Sequence, residues 1–182
     1  VEGIIENDCL SRVYWTDNKN ALRTLNLKGN DLHLLDVDEL DISPKAVMQP
    51  VNLNAVITGN LPAGAYQYAY KYLTADGGES TVSPFSQIYH VTSTSSQSPK
   101  TYFGSPSGTV SGDGLQVIIQ NADAKFDKIV LYALYYEDLG VPPRVCIAGE
   151  KDINGPSIYF DHVILEDEVP NGLEEVLIPS NT

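Results

Sequence analysis

The side chains of this chain that could do chemistry are its carboxylates, three histidines and two cysteines. Asp36, Asp38, Glu39 and Asp41 crowd one segment, and Asn121, Asp123 and Asp127 crowd another. Hard cations such as calcium want several oxygens from a short loop, so Asp36, Asp38 and Asp41 are the first place to look for one. Neither segment has the sixth-position glycine and distal glutamate of an EF-hand loop. Acidic loops on an acidic chain are ordinarily just solvated, and we expect no metal. A glycosidase-type pair needs two carboxyls roughly 5–10 Å apart in space, and nothing in the sequence points to one. His33, His90 and His162 fall on separate expected strands or their edges, so we read each as structural. Gly104-Ser105-Pro106-Ser107-Gly108 has the outline of a nucleophile elbow, but Pro106 holds the central position. No phosphate-cradling glycine loop and no His-Glu-x-x-His occurs. We therefore expect no enzyme and no cofactor. Cys9 and Cys146 are too few for a four-cysteine zinc site or a disulfide framework. We expect two buried thiols, with a bridge between them left open.

The aromatic residues are the other candidates, since flat amphipathic rings serve both sugar-binding faces and protein interfaces. There are eleven tyrosines and one tryptophan. Tyr66, Tyr68, Tyr70 and Tyr72 alternate with other residues, which puts all four on one face of a strand. Such a stripe is more often packing than recognition. Trp15, with Tyr14, stands beside an expected turn and is the better candidate for an exposed contact.

The elements that must position these residues are strands. Apolar stripes of helical period are scarce, and only 36–40 and 173–177 could form short helical turns. Arg12–Thr16, a polar turn and Leu22–Leu27 read as a hairpin. Val51–Ile57, Ala65–Thr74, Ser86–Thr92, Leu115–Gln120, Arg144–Ala148 and Ser157–Asp161 read as further strands. Asp76-Gly77-Gly78 is a strong turn signal, since glycine accepts positive φ. Lys128–Tyr136 is apolar at both parities, as a central strand buried on both faces requires.

Short strands with turn signals between them define an all-β chain of immunoglobulin- or fibronectin III-like β-sandwich modules. We expect two in tandem after an N-terminal β-hairpin segment. Residues 1–50 hold the hairpin and an irregular acidic stretch. Residues 51–95 form one β unit, 96–112 a Ser/Thr- and Pro-rich linker, and 113–182 a second unit with an acidic tail. One larger sandwich built across the linker is the alternative. The chain opens on Val1, and we expect a module of a longer protein.

Charge narrows the partners. With 24 Asp and Glu against 11 Lys and Arg, the net charge is −13. Phosphate-backbone binding relies on Lys and Arg releasing counterions, so nucleic acid is not an expected partner. No stretch approaches the ~20 apolar residues of a membrane-crossing helix, and we expect no membrane partner.

Two resemblances follow from particular blocks. Gly64 to Tyr72, with Asp76-Gly77-Gly78-Glu79-Ser80 and Ser83-Pro84-Phe85-Ser86, resembles the C-terminal half of a fibronectin type III domain over about forty residues. Arg12-Val13-Tyr14-Trp15-Thr16-Asp17 with Asn20 to Leu27, then the Gly-x-Tyr-x-Tyr strand, then Lys128-Ile129-Val130-Leu131-Tyr132, stand in one order along the chain. That set is similar to large virion proteins of crAss-like and related Bacteroidetes phages, of the stabilisation, muzzle or tail kind. The resemblance implies a structural module of a phage tail or neck, located in the virion. It implies contacts with other copies of itself and with neighbouring virion proteins, as a homo-oligomer, and transfers no catalytic residue. Tyr14-Trp15-Thr16-Asp17 is also the signature of a β-propeller repeat. It occurs once, whereas a propeller needs several repeats. The alternative function is an extracellular carbohydrate-binding or adhesion module of a bacterial surface protein.

Overall fold

A computed structural model describes residues 2–5, 11–16, 19, 22–28, 40–41, 45–75, 78–92, 105–106, 108–138 and 140–169. Its elements are ten strands: β1 (Glu2–Ile5), β2 (Ser11–Trp15), β3 (Arg23–Asn26), β4 (Asn52–Thr58), β5 (Gly64–Leu73), β6 (Tyr89–Val91), β7 (Asp113–Gln120), β8 (Lys128–Tyr136), β9 (Arg144–Asp152) and β10 (Ser157–His162). They form three antiparallel sheets, ordered β1-β2-β3, β10-β7-β4 and β6-β5-β8-β9.

β5 and β8 make the centre. They pair over nine residue pairs, from Ala65↔Tyr136 to Leu73↔Lys128. Their inward side chains meet Leu115, Val117 and Ile119 of β7 and Ile158 and Phe160 of β10 in one core between the two larger sheets. All four β5 tyrosines are fully buried there. Burying a ring of this size contributes about 2–3 kcal/mol, and an unpaired buried hydroxyl costs about 1–3 kcal/mol. A buried tyrosine is therefore stabilising only if its hydroxyl is satisfied. Each one is. Tyr66 Oη donates to the Pro62 carbonyl (2.8 Å), Tyr68 Oη meets His162 Nδ1 (2.8 Å), Tyr70 Oη accepts from the Gln49 N–H (3.3 Å) and Tyr72 Oη accepts from the Asp123 N–H (3.0 Å). The hydroxyls thus tie loops at the rim to the core. Burial raises the pKa of Tyr66, Tyr68 and Tyr70, so the phenols stay neutral.

The other face of β5 and β8 is also apolar. Ala69, Val130, Tyr132, Leu134 and Val145 form a second cluster, with Val82 and Phe85 packed on it. The segment that brings Val82 and Phe85 there has an unusual pairing with β5. The N–H groups of Ser80, Ser83 and Ser86 donate to the carbonyls of Tyr72, Tyr70 and Tyr68 at 3.0, 2.9 and 2.9 Å. The N–H groups of the same tyrosines donate to the three Ser Oγ atoms at 2.9, 3.0 and 2.9 Å. Each Oγ in turn donates to the carbonyl of the following residue. Three residues of this segment therefore match two of β5. Two strand residues span about 6.7 Å, so the segment advances about 2.2 Å per residue against about 3.3 Å in a strand. Its burial has the same period of three: serines buried, Thr81, Pro84 and Gln87 exposed, Val82 and Phe85 half-buried. Only the serine N–H groups join the ladder, which is why Pro84 is admitted.

The all-β sandwich expectation holds, and eight of the nine expected strands are present to within a residue or a few at each end. The ninth, expected over Ser86–Thr92, is confined to Tyr89–Val91, because the serine ladder takes Ser86. β1 had no expected counterpart. The expected linker does not part the strands into separate sheets. β4 pairs with β7 and β5 with β8, so strands on both sides of the expected linker share both sheets in one sandwich. Ala63 and Ser111 N–H groups bond Thr109 and Leu61 carbonyls, which makes 109–112 part of the sandwich edge. Gly149 stands where β9 passes β10: an added Cβ would lie 2.9 Å from the Phe160 ring. The expected helical turns at 36–40 and 173–177 lie outside the described residues apart from Leu40, as do Asp76 and Gly77.

Two predictions follow from this core. Ser83→Ala leaves the buried Tyr70 N–H without its acceptor, so urea unfolding should show a loss of about 1–3 kcal/mol. An unchanged midpoint would mean the ladder adds nothing. Second, His162 is 2% exposed, and its burial lowers its pKa to about 4 from 6.5. The folded value lies below the unfolded one, so the unfolded chain takes up the proton first. Stability from this group is present above pH 6.5 and is lost as pH falls towards 4. The full loss is on the order of 3 kcal/mol. Unfolding at pH 7 and pH 4.5 should show a smaller acid loss in His162→Gln than in the native chain.

Candidate interaction surface

The residues singled out for chemistry are dispersed by the fold. Asp36 and Asp38 lie outside the described residues. Asp41 is buried and pairs with Arg23, Nε to Oδ1 at 3.6 Å, beside an isolated bridge between the same two residues. Its carboxylate thus serves the edge of β3. Asp123 and Asp127 accept from the Lys125 and Ala75 N–H groups and so shape turns. Among the described residues, no group of three or more His, Cys, Asp or Glu side chains is placed to hold a metal. His90 is exposed on β6, His162 is in the core, and His33 is not described. Cys146 is a buried free thiol whose pKa is raised, first by burial and also by the carboxylates of Glu168, Asp167 and Glu166. Cys9 lies outside the described residues. No helix among them is long and apolar enough to cross a membrane.

Tyr14 and Trp15 are placed differently from each other. Both are on β2 and half-buried, but successive strand residues point to opposite faces. Register settles which neighbours each has, because directly paired residues share a face. Gly3 pairs with Val13 and Ile5 with Ser11, while Val13 pairs with Leu25 and Trp15 with Arg23. Leu27 donates its N–H to the Ser11 carbonyl and continues that row. One face of the sheet therefore carries Gly3, Ile5, Ser11, Val13, Trp15, Arg23, Leu25 and Leu27. The other carries Glu2, Ile4, Arg12, Tyr14, Thr24 and Asn26. The first face is apolar except for Ser11 and the Arg23–Asp41 pair at one end; Val13, Trp15 and Leu25 on it are half-buried, and Ile5 and Leu27 are 80% and 53% exposed.

The large sandwich contrasts with this. Its edges are blunted in four different ways. β4 carries a bulge between Leu53 and Ala55. β6 has only three residues. Lys151 Nζ donates to the Tyr159 carbonyl of β10 at 2.6 Å. The Val169 N–H bonds the Val145 carbonyl of β9 at 2.8 Å. Bulges, short edge strands and lysines are the devices that stop sheets from pairing edge to edge. On the outer face of the three-stranded sheet, Asn54, Gln116 and Asp161 form a chain of side-chain hydrogen bonds at 2.6 and 2.7 Å.

An all-β sandwich with blunted edges and a buried tyrosine core, beside a small sheet with an apolar row on one face, is the build of a structural module. The comparison with known proteins agrees with that class. Residues 3–174 match the family described as Crassvirus muzzle protein, and the chain belongs to that family. It is 25% identical over 146 residues to the Muzzle protein of Bacteroides phage crAss001, covering 78% of this chain and 10% of that protein. The chain thus spans about a tenth of that relative's length. Membership makes it a structural protein of a phage virion, located in the particle.

Proposed function

We propose that this chain is a non-catalytic packing module of its parent protein that contacts other copies of itself and neighbouring virion proteins through the Trp15 face of the β1–β3 sheet. The observation that carries the reading is that this face gathers five apolar side chains, of which Ile5 and Leu27 are exposed and none is buried among the described residues. A small sheet needs a packed face to be stable, and isolated two-stranded hairpins are only marginal in water. Five apolar side chains in one row offer that packing to a partner.

Trp15 is the chain's one tryptophan, so its emission reports on this face alone. Concentration-dependent sedimentation of the chain should show self-association, with a blue shift of Trp15 emission as the face is covered. Trp15→Ser should weaken that association at least tenfold. Because each copy carries −13, salt that screens the repulsion should strengthen it. A chain that stays monomeric, with unshifted emission at high salt and about 100 μM, a concentration that drives contacts of micromolar Kd, would overturn the reading. Glycan binding through Trp15, the alternative, would instead appear as a saturable emission change with added oligosaccharide and no change in sedimentation.

A further inference from the structure

We infer that the open groove beside β9 binds a short, extended segment bearing arginine or lysine from a neighbouring polypeptide. The groove is about 560 Å³ and lies between Ile147–Gly149 of β9 and Glu166–Val169. It arises from a divergence of two backbones. Cys146 bridges Glu168 and the Val169 N–H bonds the Val145 carbonyl, so the C-terminal segment starts as an added strand on the β9 edge. Past that bridge the two backbones separate. The bulge between Leu131 and Tyr132, which leaves Ala148 out of register with β8, falls at the same point. β9 is the last strand of its sheet, so Ile147–Gly149 face the gap from an edge that already accepts an extended backbone further along.

The lining chooses the occupant. Ile147 is 42% exposed and Val169 half-buried, which gives an apolar strip. Glu166, Asp167 and Glu168 stand exposed on the opposite wall. Their field reaches the buried Cys146 thiol. Among the described residues the cation paired with them is Arg144, whose Nε lies 3.9 Å from Glu168 Oε2, so Glu166 and Asp167 are left to an incoming group. An apolar strip beside carboxylates fits a side chain with an aliphatic stem and a cationic head. The volume is too large for one such side chain and suits two or three residues. A second copy is the wrong occupant by charge, since the chain carries −13. This site is separate from the Trp15 face, and salt separates the two experimentally: it should strengthen contact through that face and weaken binding here.

The test is titration of the 182-residue chain with the peptide acetyl-Gly-Arg-Ile-Arg-Gly-amide, followed by amide chemical shifts, with acetyl-Gly-Glu-Ile-Glu-Gly-amide as control. We expect saturable shifts at 147–149 and 166–169, no response to the acidic peptide, and a Kd that rises with salt. The double variant Glu166→Lys, Asp167→Lys should weaken binding at least tenfold. Ile147→Ser, which keeps every charge, should weaken it about threefold. All three side chains are exposed, so folding is expected to survive, and unchanged shifts elsewhere would verify that. Non-saturating shifts spread over the acidic surface, or an Ile147→Ser variant that binds like the native chain, would reduce the site to diffuse charge attraction and overturn the inference. So would the absence of any shift at millimolar peptide.

Discussion

Everything in the sandwich depends on satisfying both edges and all four rings of β5. The strand is buried on its core face by tyrosines, covered on the other face by Val82 and Phe85, and central in its sheet. Buried backbone groups without partners are expensive, so a strand in that position needs a complete set of acceptors and donors on each side. β8 supplies one side over nine pairs. The other side is shared between β6, which pairs only at Gly64–Tyr66, and the serine ladder, which takes Tyr68, Tyr70 and Tyr72. The tyrosine hydroxyls then fasten the segment before β4, the turn before β5 and the loop after β7 to the same core.

Much of this was readable from residues. The period-two tyrosines of β5 and the two-sided apolar run of β8 announced the two strands that matter most, because both patterns report burial directly. What was not readable was their pairing. The partners lie far apart in sequence, and each half of the chain carries enough strands to suggest a unit of its own. The short β1 was missed because Glu2-Gly3-Ile4-Ile5 is exposed throughout and carries no alternation. Ser80, Ser83 and Ser86 did carry a signal, a serine at every third position, but it belongs to neither the helical nor the strand period.

The candidate surfaces divide in the same way. Trp15 stood out by type and by its neighbouring turn, whereas its face and its company with Ile5, Val13 and Leu25 depend on register with β1 and β3. Tyr14, expected beside it, belongs to the opposite face. The groove at β9 involves Glu166–Val169, which read as the start of a peripheral tail. Composition could show the acidity of that stretch but not that its backbone returns to an edge strand. The contrast between a sandwich with blunted edges and a small sheet with no fully buried residue suits a protein of a crowded particle. Non-specific sheet extension is suppressed at the edges of the larger sandwich.

The three-against-two match of the serine ladder also limits how this family can change length. Deleting or inserting one residue between Ser80 and Ser86 would throw every later serine out of phase with its tyrosine, and would turn Val82 or Phe85 from the sheet towards water. Removing or adding three residues would keep the phase and shift the ladder by two residues of β5, the step that returns the same face of the strand. Variation in this segment is therefore quantised. Relatives should differ there by whole triplets, in step with pairs in the facing strand.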